Sequence, residues 1–158
     1  MAVLTRTDHY PFCWGCSLAV DGLMFDWVLA DDRVDAEYVV AERYAGAPGI
    51  AHGGIVAALL DEACAQVARL AVTPAVTSRL DIRYLAPVPV EAPLRVEAEL
   101  TDVGERRATT EATVRDAGGL VLAHARAECV QVRPEHFLST PEGRRRGVDW
   151  LPSDARSP

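Results

Sequence analysis

The segment from Pro48 to Leu70 reads PGIAHGGIVAALLDEACAQVARL. Its first residues are typical of a loop, and the apolar run from about Gly53 to Leu70 predicts a helix that Pro74 closes. A helix that is apolar on nearly every side must be covered over most of its surface. Asp61 and Glu62 nevertheless lie at its centre. The role of these two carboxylates is the first question that the sequence raises.

Strand patterns lie on both sides of this helix along the chain. Before it, GLMFDWVLADD and RVDAEYVV predict two strands that meet in a hairpin at Asp31-Asp32. After it come four runs in which apolar and polar residues alternate: AVTSRLDIRYLAP, LRVEAELTDV, RATTEATVRD and LVLAHARAECVQV. A turn at 116–119 joins the last two runs. With one long helix available, the cover for that helix must come from these strands.

The last strand pattern indicates how the helix and the sheet meet. One face of it carries small residues, which would let a helix approach closely: Val121, Ala123, Ala125, Ala127 and Cys129. We predict an α+β fold in which an antiparallel sheet wraps around one long central helix. Such a sheet leaves a helix face and a sheet edge uncovered, so we expect a homodimer.

Length and composition predict one domain. The 158 residues divide into a lead-in (1–21), a central domain (22–132) and a tail (133–158) that we expect to be extended or disordered. The net charge of −7 and the lack of a basic stripe argue against nucleic acid. Apolar runs are far shorter than the roughly 20 residues of a membrane span. The first ten residues contain no signal-peptide core, so we expect a cytoplasmic protein.

The four cysteines do not form a complete metal motif. Cys64 falls in the helix and Cys129 in a strand, so both are expected to be buried thiols. Cys13 and Cys16 form a single CxxC, and a zinc site would need further ligands, while the four histidines are scattered. We therefore expect reduced cysteines, no metal and no bound cofactor.

On a helical wheel the two carboxylates differ. Asp61 shares its face with small residues only: Ala57, Ala58, Cys64, Ala65 and Ala68. Glu62 shares its side with Gln66 and Arg69, which indicates a solvated position. Burying Asp61 costs several kcal/mol unless a partner or a reaction uses it. Asp61 thus has either a catalytic role or a structural role, in which it would form hydrogen bonds with backbone or hydroxyl groups across a dimer interface.

His52-Gly53-Gly54 supplies a second candidate feature. Bare backbone N–H groups at a helix N-terminus can bind a carbonyl oxygen as negative charge develops on it. Asp61 follows about two turns further along the helix. Because a straight helix cannot fold back, these N–H groups and Asp61 of one chain would serve different sites, and a dimer would bring in Asp61 from the partner.

The motif HGGIVAALLDEA, followed by TSRLDIRYLAPVPV, resembles the hotdog-fold acyl-CoA thioesterases, in particular the branch that includes the phenylacetate-pathway thioesterases. The resemblance implies the hotdog fold and hydrolysis of an acyl-CoA thioester. It implies that the Gly54 N–H, helped by the orientation of His52, forms the oxyanion hole. Asp61 would be general base or nucleophile, and Thr77 would position the attacking water. By alternation, however, Thr77 lies on the polar face of its strand.

The same resemblance suggests a ligand surface. Gly53 and Ala58 would line the acyl site. The phosphates of coenzyme A would be bound by Arg79 and Arg83, and Arg43 is a further candidate. The alternative is that these arginines are ordinary solvated residues. An acyl-carrier protein is a second possible acyl donor. A hydratase or dehydratase and a non-catalytic acyl-CoA binder remain alternatives, as do dimer and tetramer.

Overall fold

A computed structural model of the protein describes residues 2–4, 10–17, 20–30, 32–152 and 155. Its strands are β1 (Ala2–Leu4), β2 (Trp27–Ala30), β3 (Arg33–Val39), β4 (Ala45–Ala47), β5 (Ile50–Ala51), β6 (Ala75–Tyr84), β7 (Pro93–Val103), β8 (Arg107–Asp116) and β9 (Val121–Gln131). Its α-helices are α1 (Gly53–Ala68) and α2 (Pro141–Arg146), with 3-10 helices at Glu42–Tyr44 and Pro134–Leu138. No helix in the described ranges combines the length and the apolar character needed to cross a membrane.

The strands form one antiparallel sheet in the order β1-β2-β3-β7-β8-β9-β6, and β4 pairs with β5 separately. The predicted hairpin is present as β2 and β3, with Ala30 opposite Arg33; Asp31 itself lies outside the described residues. The turn between β8 and β9 is also as predicted, because Asp116 Oδ1 accepts hydrogen bonds from the Gly118 and Leu120 N–H groups. The ten-residue strand β6 forms one edge of the sheet.

Helix α1 packs against five strands of this sheet, namely β3, β6, β7, β8 and β9. The small residues predicted on β9 make this approach possible, since Ala123, Ala125 and Ala127 are completely buried beneath the helix layer. From the helix, Leu59 and Leu60 are buried in the same core. The predicted arrangement of one sheet around one central helix is therefore confirmed.

One stripe of α1 is less covered than the rest. Gly54 is exposed, and the residues that follow it along the same face are only half-buried: Ala57, Ala58, Asp61 and Ala65. By contrast Cys64 and Ala68, which also neighbour Asp61 on the helical wheel, are fully buried. Asp61 thus lies at the border between the part of α1 that the sheet covers and the part that it leaves uncovered.

The tail is more regular than the sequence predicted. Pro134–Leu138 and Pro141–Arg146 are short helices, the second of them capped by Thr140, whose Oγ1 accepts a hydrogen bond from the Gly143 N–H. The aromatic ring of Trp150 packs edge-to-face against both Phe137 and Tyr10. Local capping and aromatic packing therefore order this segment, although residues 153–154 and 156–158 lie outside the described part.

The close contact between α1 and β9 predicts a sharp loss of stability on enlarging a buried alanine. Ala125→Leu adds three carbon atoms where no exposed surface exists, so we expect the free energy of unfolding to fall by about 2 kcal/mol or more. Urea denaturation measures this change. The matched control is Arg126→Leu, which places a leucine on the opposite, largely exposed face and should change stability by about 0.5 kcal/mol or less. Equal stability of both variants would contradict the packing described.

Candidate active site

Asp61 and Thr77 are brought together by the fold. Thr77 Oγ1, near the start of β6, donates a hydrogen bond of 2.8 Å to Asp61 Oδ1 in the middle of α1. Both residues are half-buried. Among the described residues, no other hydrogen-bond donor contacts the Asp61 carboxylate, so Oδ2 has capacity for a further partner. A half-buried carboxylate with one oriented oxygen and one available oxygen is suited to proton transfer.

A β-bulge explains how Thr77 reaches this position. Thr77 lies opposite Cys129 and Leu80 lies opposite Ala127, so β6 uses four residues where β9 uses three. The extra residue shifts the alternation, and Thr77 faces the helix together with Leu80. The inference from strict alternation that Thr77 lies on the polar face is therefore wrong. Bulges commonly re-aim a side chain beside an active site.

Two cysteines near Asp61, Cys64 and Cys129, carry neutral thiols and are not suited to act as nucleophiles. Burial raises the pKa of Cys64 to about 12, and it also raises the pKa of Cys129. The neighbouring Thr110 and Thr77 hydroxyl groups oppose these pKa shifts but do not cancel them. Thiols with such pKa values remain protonated near neutral pH and are poor nucleophiles. Of these three residues, Asp61 is therefore the candidate for a chemical role.

The N-terminus of α1 forms the second half of the site. His52 is the N-cap residue, and its Nδ1 accepts a hydrogen bond of 3.0 Å from the Gly54 N–H. The Gly54 N–H assigned to the oxyanion hole is therefore already occupied by the side chain that was expected to assist it. The Gly53 N–H, by contrast, has no acceptor within the described residues and lies at an exposed position.

Tyr84 is a neighbour of this helix terminus that the sequence did not reveal. Its hydroxyl group donates a 3.0 Å hydrogen bond to the Gly53 carbonyl oxygen, from the far end of β6. A Cβ placed on Gly53 would lie at van der Waals distance from the Tyr84 side chain. Strand β6 therefore contacts both halves of the site, since Thr77 bonds Asp61 at one end and Tyr84 fixes the helix start at the other.

The two halves are separated within one chain. Eight residues of helix from Gly54 to Asp61 place them about 10 Å apart along the helix axis. A thioester whose carbonyl oxygen is held at the helix N-terminus could not be attacked at its carbon by a water molecule at Asp61 of the same chain, because reacting atoms must come within about 3.5 Å. The predicted separation of the N–H groups from Asp61 thus holds in the structure.

The arginines proposed for phosphate binding lie on the outer surface. Arg79 pairs with Asp81 at 2.8 Å on the same strand, and both side chains are more than half exposed. Arg43 pairs with Asp21 at 2.9 Å and lies over the ring of Tyr44. Arg83 is exposed on β6. None of these residues is held in a pocket with Asp61, whereas Ala58 lies on the half-buried stripe beside it.

Glu62 is not a solvated residue, contrary to the sequence prediction. Its Oε1 accepts a 2.8 Å hydrogen bond from Gln66, as the helical spacing suggested, and Arg69 in turn donates to Gln66. However, Gln66 is buried, and Oε2 of Glu62 lies against Gly15 of the lead-in. The lead-in covers this side of α1, which could not be seen from the helix sequence alone.

A narrow cleft borders the site at the C-terminal half of α1. It has a volume of about 50 Å³ and lies between α1 and the start of β6, where its lining includes Thr77 and Cys129. Ala65 and Ala75 form part of its apolar wall. A space of this size in one chain holds little more than a water molecule or a small group.

Comparison with known proteins agrees with this geometry. Residues 48–123 match the family model described as Thioesterase superfamily. A thioesterase superfamily protein of known structure is 29% identical, with a TM-score of 0.65, over 69% of this chain and 57% of that protein. The present chain thus matches little more than half the length of that relative.

Two further structures share the fold at lower identity. A phenylacetic acid degradation-related protein from Ralstonia eutropha JMP134 is 21% identical over 68% of this chain and 85% of that one, with a TM-score of 0.63. A Streptococcus mutans UA159 protein, crystallised with acetyl-CoA, is 23% identical over 68% and 88%, with a TM-score of 0.64. The matched segment, which contains His52, α1 and Thr77, is similar to the thioesterase superfamily, and the chain shares the hotdog fold of these structures, as the sequence resemblance implied.

The Thr77–Asp61 hydrogen bond can be measured by a double-mutant cycle. We expect Thr77→Val and Asp61→Ala to be coupled by about 1 kcal/mol or more in the free energy of unfolding, because the acceptor is a carboxylate. The control cycle replaces Thr77→Val by Ser78→Ala, whose hydroxyl group bonds the Glu128 carbonyl instead. Its coupling with Asp61→Ala should be close to zero. Equal coupling in the two cycles would contradict the assigned hydrogen bond.

Proposed function

We propose that the protein hydrolyses an acyl-CoA thioester to a free acid and coenzyme A. The observation that carries this proposal is the half-buried Asp61 carboxylate, oriented by Thr77 on the face of α1 that the sheet leaves open. The match of residues 48–123 to the thioesterase superfamily supports a thioester as substrate. The acetyl-CoA in the Streptococcus mutans neighbour supports coenzyme A as the carrier, in preference to an acyl-carrier protein.

In this mechanism Asp61 acts on water. Thr77 holds Oδ1, and Oδ2 accepts a proton from a water molecule whose oxygen bonds to the thioester carbon. The carbon–sulfur bond of the resulting tetrahedral intermediate then breaks, and the departing sulfur takes the proton from Asp61. The same geometry permits a second route, in which Oδ2 attacks the carbon and the carbon–sulfur bond breaks to release coenzyme A as a thiolate. Water then hydrolyses the mixed anhydride, which frees the acid and the Asp61 carboxylate, and the thiolate takes up the proton that water releases. Both routes require the Asp61 carboxylate.

The N-terminus of α1 would hold the carbonyl oxygen. The Gly53 N–H is available for an oxygen atom, and the Gly54 N–H becomes available when the carbonyl oxygen replaces His52 Nδ1 as its acceptor. The helix dipole adds positive potential at this point. We therefore assign the oxyanion hole to the Gly53 and Gly54 N–H groups together, with His52 as the residue that keeps the Gly54 donor in place before substrate binds.

A homodimer would complete the site. Strand β6 is an edge strand and carries both Thr77 and Tyr84, and the half-buried stripe of α1 lies where cover by the sheet ends. Pairing of two copies along this side would bring the helix N-terminus of one protomer to Asp61 of the other. Arg79 and Arg83 on the outward surface of β6 would then be candidates for the coenzyme A phosphates, at a cost in affinity from the Asp81 partner of Arg79.

Asp61→Asn should abolish most of the activity. We expect a loss of about a hundredfold or more in kcat, since an amide cannot take the proton of water or form an anhydride. Thiol release from a panel of aryl, short-chain and medium-chain acyl-CoAs measures the rate and defines the acyl class. Asp102→Asn, which changes an exposed carboxylate on β7, serves as the matched control and should keep full activity.

The same panel separates the alternatives. A hydratase would change double-bond absorbance without releasing thiol, and a non-catalytic binder would show affinity for an acyl-CoA without turnover. Thiol release by wild type that Asp61→Asn retains in full would contradict the assignment of Asp61.

The oxyanion role of the Gly53 N–H is tested by two substitutions at one position. Proline is well tolerated at the first position of a helix but lacks the N–H, so we expect Gly53→Pro to lower kcat about a hundredfold. Gly53→Ala keeps the N–H, and the atoms nearest to its Cβ would be those of Tyr84, at the ordinary contact distance of 3.7 Å. It should therefore retain most of the activity. Equal losses of kcat in both variants would contradict an oxyanion role for the Gly53 N–H group.

A further inference from the structure

The lead-in folds its CxxC sequence onto helix α1. Cys16 is 3% exposed and Cys13 is half-buried. The Ser17 N–H donates to the Cys13 carbonyl at 2.9 Å, which closes the turn that brings the two thiols together. The Leu23 N–H donates to the Trp14 carbonyl at 3.0 Å and ties this turn to the chain before β2. The CxxC segment is thus part of the folded domain.

Glu62 provides a third donor at the same point. Its carboxylate and the two cysteine sulfur atoms lie within 4.8 Å of one another. Gly15, between the cysteines, makes this approach possible, because a Cβ there would collide with Glu62 Oε2. Gln66 Nε2 donates to Oε1 at 2.8 Å and so fixes the orientation of the carboxylate. A hydrogen-bonded outer partner of this kind is typical of metal-binding carboxylates.

The electrostatics of the cluster favour a cation. The contact with Cys13, burial and the charge of Glu62 all raise the pKa of Cys16, while Arg69 lowers it. The negative charge of Glu62 and that of an ionised Cys16 therefore repel each other. A divalent cation among them reverses this effect, because it stabilises thiolates and the carboxylate together.

We propose that Cys13, Cys16 and Glu62 bind one zinc ion. Sulfur ligands favour zinc over magnesium or calcium, and a CxxC pair with a carboxylate oxygen supplies three ligands of a tetrahedral site. Water would complete the fourth position. Binding would release the two thiol protons to solvent, and the residual charge of −1 on the bound site would face the guanidinium of Arg69.

The role of this ion would be structural. It would fasten the lead-in to α1 one residue away from Asp61, on a different side of the helix from the stripe that the proposed hydrolysis uses. The zinc site therefore does not rest on the proposed function, and its test does not depend on turnover. The expectation from sequence that the cysteines hold no metal did not include Glu62, which is distant from them along the chain.

The test uses the full chain, reduced with a non-thiol reductant and titrated with Zn²⁺ against a chromophoric chelator. We expect one zinc ion per chain, and release of about two protons per ion near neutral pH. Co²⁺ in place of Zn²⁺ should give the intense visible bands of tetrahedral coordination and a sulfur-to-cobalt charge-transfer band. This spectrum of the wild-type chain tests the site without relying on any variant.

Variants then assign the ligands. Cys13→Ser and Glu62→Gln should weaken zinc binding at least about tenfold, while Cys129→Ser and Asp61→Asn, which change a thiol and a carboxylate outside the cluster, should keep one ion per chain. Circular dichroism confirms that each variant is folded. The proposal is overturned if the reduced wild-type chain binds zinc no more tightly than Cys13→Ser, or if the control variants lose the ion equally.

Discussion

The rest of this structure depends on the close packing of one apolar helix against a sheet of small residues. Ala123, Ala125 and Ala127 let α1 approach β9, and all three are completely buried. One sheet cannot surround a helix completely, so a stripe of α1 is left half-buried at the β6 edge. Asp61 lies on that stripe. Its position is therefore a consequence of how the helix is covered, and its orientation is a consequence of the hydrogen bond from Thr77.

The same constraint divides the chemistry between two places. The bare N–H groups at the start of α1 and the carboxylate two turns later cannot meet in one chain. Strand β6 links them, since Thr77 bonds Asp61 and Tyr84 bonds the Gly53 carbonyl. A second copy of the chain, placed along this edge, would bring a helix N-terminus to each Asp61. The proposed active site and the proposed dimer are thus one hypothesis.

Periodicity is sufficient to predict the helix, the strand order along the chain and the small-residue face of β9, because each depends on residues close together in sequence. Thr77 shows where this reasoning fails, since a bulge shifts the alternation and leaves no sign in the pattern of apolar residues. Glu62 shows a second limit. Helical spacing correctly indicates its bond with Gln66, but only the folded lead-in brings Gly15 and the cysteines against it. In the tail, Thr140-Pro141 is a helix start signal from which the second helix could have been predicted.

The most direct test of the central claim mixes two inactive variants, Asp61→Asn and Gly53→Pro, under conditions that allow protomers to exchange. If each site takes Asp61 from one protomer and the helix N-terminus from the other, half of the dimers formed at random are mixed and carry one intact site. Thiol release should then recover to about a quarter of the wild-type rate. If both groups act within one chain, mixing would restore no activity, and an active site shared between two protomers would be contradicted.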